Sequence, residues 1–217
     1  MFAFRKFLVR YRIPIGILFI ALGIWSGIEV TWWLGWLPIF IGILVILAHF
    51  MVGPVSLMQR YIEEGDVEGA QKLLKQVKRP KLLLKPIRSA YYMLNANFST
   101  LNEDFDTAES DIRKGLEAGS TDKDFQGTAH LQLGAIAFRK GNLREAYSSL
   151  RTAIKAGLPD ADSEATAYLQ LSSICMQRRD FRGAKMYYKK ATGVKAKNPE
   201  ILDQLQEMKK YIARLPG

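Results

Sequence analysis

Apolar residues run along this chain in two rhythms. From Ile13 to Ile28, and again from Thr31 to Val52, they are almost continuous; between positions 13 and 52 the only acid is Glu29, and there is no Lys or Arg. The second run, about 22 residues, would extend roughly 33 Å as helix, enough for a bilayer core. The first is shorter, and Arg10 and Arg12 can extend it by laying their stems along apolar surface. With almost nothing between them, the two runs predict an antiparallel helical hairpin. Beyond Gly53-Pro54 the chain becomes mixed and charged. At its far end Ile201, Leu205, Met208 and Ile212 share one side of a predicted helix, and Glu200, Gln204, Glu207 and Lys210 are its polar positions.

A constant period organises the second part. Gly65-Asp-Val-Glu-Gly-Ala70 returns as Glu103-Asp-Phe-Asp-Thr-Ala108, Gly141-Asn-Leu-Arg-Glu-Ala146 and Arg179-Asp-Phe-Arg-Gly-Ala184, so Ala70, Ala108, Ala146 and Ala184 are each 38 residues apart. A period in this range predicts stacked helical hairpins. Asp66, Asp104, Asn142 and Asp180 stand just before the second helix of each unit, where a short oxygen-bearing side chain caps free N–H groups. Asn142 and Glu145 have the spacing of a capping box. Val67, Phe105, Leu143 and Phe181 follow the caps and are expected to pack between helices. Breakers at Lys78-Arg79-Pro80, Gly119-Ser-Thr-Asp122, Gly157-Leu-Pro-Asp160 and Asn198-Pro199 separate the units. The resulting division is an anchor over 1–53 with helices at about 13–28 and 31–52. A solenoid follows over 54–217, with units at about 54–80, 86–118, 122–157 and 160–194 and a capping helix at 199–214.

The hairpin carries its own internal pattern. Centred on Glu29, Gly23 falls opposite Gly35 and Gly16 opposite Gly42, so small residues face one another and two backbones can approach closely. Trp25, Trp32, Trp33 and Trp36 cluster at the turn, as indoles do at a headgroup interface. Arg5, Lys6, Arg10, Arg12 and Arg60 flank the other end, and the turn has no Lys or Arg. The positive-inside rule then predicts an integral membrane protein with two spans and both termini cytoplasmic.

The repeat register resembles the tetratricopeptide repeat family. Tyr168, Leu171, Ala184, Tyr188 and Ala191 fall at that motif's spacing, as do Leu133, Gly134, Gly141, Ala146, Leu150 and Ala153. Leu57, Tyr61, Gly65, Ala70 and Leu74 follow it in the first unit. Tyr92, Ala96, Ala108 and Ile112 follow it in the second, where Asn95 and Gly115 depart from the usual Leu and Ala. With the hairpin read from the apolar runs, the resemblance implies an all-α fold: a two-helix transmembrane hairpin, then an α-solenoid of four repeat-type helical hairpins, and a C-terminal capping helix. It also implies peptide binding on a concave face. By register that face is Met93, Asn97 and Thr100; then Leu131, Ala135, Phe138 and Arg139; then Leu169, Ser173, Met176 and Gln177. Some members of the family clamp a chaperone's terminal carboxylate with lysines. Here Met93 and Thr128 occupy those positions, so that clamp is incomplete.

Charge and chemistry narrow the reading further. The net charge is +10, but it is banded: 69–88 is basic without an acid, 89–125 is acidic, and 126–217 is basic again. That banding argues against a nucleic-acid stripe. Lys72, Lys75, Lys78, Arg79 and Lys81 are instead candidates for contact with anionic lipid headgroups. The single cysteine, Cys175, excludes an internal disulfide or a cysteine-based metal cluster, and the chain shows no phosphate-cradling loop or nucleophile elbow. His49 and His130 are the only histidines. No enzyme activity and no cofactor are expected. The expectation is a scaffold or adaptor, anchored in a bacterial-type inner membrane, that binds a protein or peptide segment at the cytoplasmic face. The competing reading is a lipid-surface or membrane-organising protein, or a non-catalytic accessory subunit of a membrane enzyme complex.

Overall fold

The computed structural model describes residues 11–29, 32–52, 61 and 65–215. Among these the chain is all-α, with ten α-helices and one 3-10 turn: α1 (Arg12–Glu29), α2 (Trp32–Val52), α3 (Val67–Lys75), the turn Pro80–Leu82, α4 (Lys85–Leu101), α5 (Phe105–Glu117), α6 (Lys123–Arg139), α7 (Leu143–Ala156), α8 (Ala161–Gln177), α9 (Phe181–Gly193) and α10 (Pro199–Ile212). Two compact units divide the chain, 1–91 and 92–217. This division falls inside α4. One reason is that the segment before α4 is tied back to α2: the Leu84 N–H donates to the Met51 carbonyl at 2.9 Å. Arg88 also donates to the Leu83 carbonyl at 3.0 Å, and Leu83 is buried.

In the first unit α1 and α2 form a hairpin along the expected glycine seam. A Cβ added to Gly23 would lie 2.6 Å from the Gly35 carbonyl oxygen, and one on Gly42 would lie 2.5 Å from that of Gly16. Only glycine lets the two backbones come this close. Ile20, Ile39 and Ile46 pack beside these glycines, but many large side chains point the other way: Ile17, Leu18, Leu22, Trp36, Phe40 and Leu44 are all exposed.

One expectation is overturned here. A bilayer core calls for about 20 consecutive apolar residues of helix, and among the described residues no helix is long and apolar enough to cross a membrane. The integral-membrane localisation with two spans and cytoplasmic termini is withdrawn on this finding. The basic flank at Arg5, Lys6, Arg10 and Arg60, the linker Gly53-Pro54 and all but Tyr61 of the expected first helix of the first repeat also lie outside the described residues.

The repeat turns share one geometry. Gly65, Glu103, Gly141 and Arg179, 38 residues apart, have φ of 73°, 59°, 77° and 60°. This left-handed residue reverses the chain into the cap. Asp66, Asp104, Asn142 and Asp180 then accept from the N–H of Gly69, Thr107, Glu145 and Gly183 at 2.8, 3.1, 3.2 and 2.9 Å. The N–H groups of the same cap residues donate back to the carbonyls of Tyr61, Ser99, Ala137 and Cys175. Both sides of each turn are thereby satisfied.

Small residues set the spacing of the hairpins. Ala70, Ala108, Ala146 and Ala184 are fully buried. In the second unit three apolar clusters follow in chain order. Ala96, Ala108, Ile112 and Leu133 join α4, α5 and α6; Leu150, Leu171, Ile174 and Tyr187 join α7, α8 and α9; Ala165, Leu169, Ile201 and Leu205 join α8 to α10. Each hairpin is completed by the next, as in a helical solenoid. α10 closes the series with Ile201 and Leu205 buried and Met208 packed beside them. Phe105, Leu143 and Phe181 are half-buried, whereas Val67 is 52% exposed, so the expectation of packing fails at that cap.

Candidate protein-binding groove

The first helices of two successive repeats, α4 and α6, enclose a groove of about 320 Å³. From α4 it takes Asn97, Thr100 and Leu101, spaced i, i+3 and i+4 on one face. From α6 it takes Gln132, Ala135, Ile136 and Arg139. The Gln132 amide donates to the Asn97 side-chain oxygen at 2.9 Å, bridging the two helices across the groove floor. Thr100 donates its hydroxyl to the Ala96 carbonyl at 2.9 Å. The Arg139 guanidinium lies 5.5 Å from the centre of the Phe105 ring, which holds the charge at one end. Leu101 is 73% exposed and forms an apolar lip.

Of the residues expected on this face, Asn97, Thr100, Ala135 and Arg139 are brought together here. The others are placed differently. Leu169 is core, 4% exposed, and packs in the cluster with Ile201 and Leu205. Met93 packs against the cluster around Ile112, and Leu131, Phe138 and Met176 pack against the one around Leu171. Ser173 is turned back to the Leu169 carbonyl at 3.1 Å, and Gln177 is exposed at the end of α8. Polar replacements at Phe138 or Met176 would therefore disturb packing as well as any groove.

Leu101, Gln132 and Ile136 line the groove but were not among the expected residues. Leu131 and Gln132 differ by 100° around α6, and packing of that helix puts Leu131 inward. One repeat further on, Gln170 occupies the position of Gln132. Its partner position, Asn97 in the earlier repeat, is Ala135, and the buried Gln170 Oε1 has no hydrogen-bond donor.

The match to known families falls on the last hairpin. Residues 165–198 match the family model of the tetratricopeptide repeat. This stretch runs from within α8, through α9, to the cap of α10. No curated protein matches the chain. The match covers one repeat, and a repeat of this kind suggests a protein-interaction scaffold. Repeats of this kind are typically non-catalytic interaction modules.

The groups with nucleophilic or ligating chemistry lie elsewhere. Burial pushes the Cys175 thiol up to about 11, helped by the charge and hydrogen bond of Asp180 and opposed by Arg178. A thiol so placed is a poor source of thiolate. Burial and the nearby Arg113 lower the pKa of His130. Among the described residues no group of three or more His, Cys, Asp or Glu could hold a metal ion. Lys72, Lys75, Lys78, Arg79 and Lys81 are all exposed. Lys72 and Lys75 lie on α3, where Lys72 stands 3.6 Å from Glu68; Lys78 lies beyond the end of that helix rather than on its face.

Proposed function

We propose that this protein is an interaction scaffold whose α4–α6 groove receives an extended segment of a protein partner. The observation that carries this reading is the amide pair that bridges α4 and α6 in the groove. The Asn97–Gln132 pair offers a remaining donor and acceptor to a peptide backbone. An extended segment brings a backbone N–H and C=O that match that donor and acceptor. The apolar lip at Leu101 and Ala135 suits one side chain of such a segment, and Arg139 suits an acidic or carbonyl group beside it. The turns and caps hold the helices in position before a partner arrives, so little ordering cost falls on the scaffold.

A photo-crosslinking residue at Leu101 tests this, with the same residue at the exposed Met186 of α9 as control. The expected result is a discrete adduct from 101, absent from 186, and lost when Ala135→Arg fills the groove. An adduct that survives Ala135→Arg in a folded protein would remove the groove from the function.

A further inference from the structure

The second unit holds another cavity, of about 670 Å³, that shares no residue with the groove. Five cations line it: Arg144, Arg151 and Lys155 from α7, Arg178 at the end of α8, and Lys190 from α9. No aspartate or glutamate is among its lining residues. Among the described residues none of the five is ion-paired, although Arg113, Lys114 and Lys140 in the same unit all are.

Tyrosines form the other part of the lining. The Tyr147 and Tyr187 hydroxyls share a hydrogen bond of 2.9 Å, and the Tyr168 and Tyr187 rings stack at 6.4 Å. Arg151 and Arg178 lie 5.8 and 5.5 Å from the centre of the Tyr147 ring, and Lys190 lies 5.6 Å from that of Tyr168. Ring faces hold the cations in place without neutralising them, and a guanidinium over a ring keeps its N–H edge free for oxygen acceptors. Glu164, which hydrogen-bonds Tyr168, is not part of the lining.

Five like charges converging without a counter-charge call for an anionic occupant. Arg144 and Lys155 are eleven positions apart on α7, about 16 Å of helix, which equals about five residues of extended chain. One compact oxyanion cannot reach both ends. We propose that this cavity binds an acidic segment of a protein partner, with successive carboxylates meeting the cations from Arg144 to Lys155 and its backbone lying over the tyrosines. It relies on the scaffold reading for its class of partner only. The two sites share no residue, so either can fail alone.

The test is fluorescence anisotropy of the full chain with labelled octaglutamate and octaglutamine, alongside pyrophosphate as a competitor. Octaglutamate should bind, with at least about tenfold loss of affinity between about 50 and about 500 mM salt. Octaglutamine should not. The double variant Arg151→Gln/Arg178→Gln should weaken binding by about tenfold or more. The exposed pair Arg144→Gln/Lys155→Gln, at the two ends of the cavity, should do the same and keeps the test valid if the first variant folds poorly. Lys209→Gln/Lys210→Gln on α10 should leave binding unchanged. Equal binding of the two peptides would overturn the proposal. So would equal loss from the α10 pair, or full displacement of octaglutamate by equimolar pyrophosphate.

Discussion

The α1/α2 hairpin and the repeat hairpins are both helix pairs drawn together by small residues, yet they use that closeness in opposite ways. In α1/α2 the glycines occupy the contact and many large apolar side chains, such as Leu22 and Phe40, face outward. In the repeats the alanines occupy the contact, and Ile112, Leu150 and Leu171 turn inward and are fully buried. Burying a side chain of that size stabilises by roughly 1.5–3 kcal/mol. The repeats gain this term from their own neighbours, and the hairpin leaves much of it outside. Polar ties follow the same division. The repeats have capped turns and a cluster in which Glu109 meets Arg113 and Lys140 at 2.8 and 2.9 Å, while Lys140 also meets Asp106. A small residue thus sets the distance between helices, and the direction of the large ones decides whether the pair is complete in itself.

The largest effect is expected where the contact is backbone on backbone. Gly42→Leu drives a side chain into the Gly16 carbonyl and should cost about 3 kcal/mol or more of hairpin packing. A cysteine placed at Ile39 in a Cys175→Ala background should then become reactive to maleimide. Unchanged protection would mean that the seam does not hold the pair. Cysteines at Gly23 and Gly35 themselves do not fit, because each Cβ meets the opposing carbonyl.

The matching change in a repeat is Ala146→Leu. Here the neighbours are side chains that can shift, so a cost of about 1–3 kcal/mol is expected in denaturant unfolding, less than in the seam. A cost equal to that of Gly42→Leu would erase the distinction between the two kinds of contact.

The turns give a signed pair of smaller effects. Gly141→Ala introduces a Cβ at φ 77° and should destabilise by about 1 kcal/mol. Glu103→Gly relieves the same strain at φ 59° and should stabilise, offset in part by unfolded-state entropy. Melting temperatures moving in the same direction for both would reject the shared turn geometry.

The smallest effect concerns pH. Hydrogen bonds from Lys140 and then Arg113 hold the Glu109 carboxyl below its ordinary value of 4.5. The folded value is the lower one, so the stabilisation is fully present above pH 4.5 and is lost as pH falls through the folded value. Glu109→Gln should flatten the fall in melting temperature below that pH. An unchanged acid limb would assign the fall to other carboxylates.

Much of the repeat was legible in the chain because its determinants are local. The 38-residue period, the caps at Asp66, Asp104, Asn142 and Asp180, and the buried alanines each follow from a few consecutive residues. The glycine pairing was legible for a related reason: a tight antiparallel hairpin has one register once its centre is set. Part of the groove was visible too, since Asn97, Thr100, Ala135 and Arg139 follow from the repeat register. Leu169 and Phe138 were not, because a helix of nearly uniform hydrophobicity does not announce which side its neighbours will cover. In α8 the buried residues Ala165, Leu169, Ser172 and Cys175 share the helix with Ala167, Leu171 and Ile174, so both sides meet the core.

By itself the sequence determined the helical class, the period, the position of each turn and the closing helix. These are properties of short stretches in which capping, steric freedom and apolar spacing act between near neighbours. Only the tertiary structure decided the rotation of α6 that puts Gln132 rather than Leu131 in the groove. It alone placed the five cations of α7, α8 and α9 around one cavity, and it alone brought the hydroxyls of Tyr147 and Tyr187, forty residues apart, to 2.9 Å. Those arrangements arise from packing between helices, and the energy that selects a helix rotation is shared among many weak contacts rather than written at any one position.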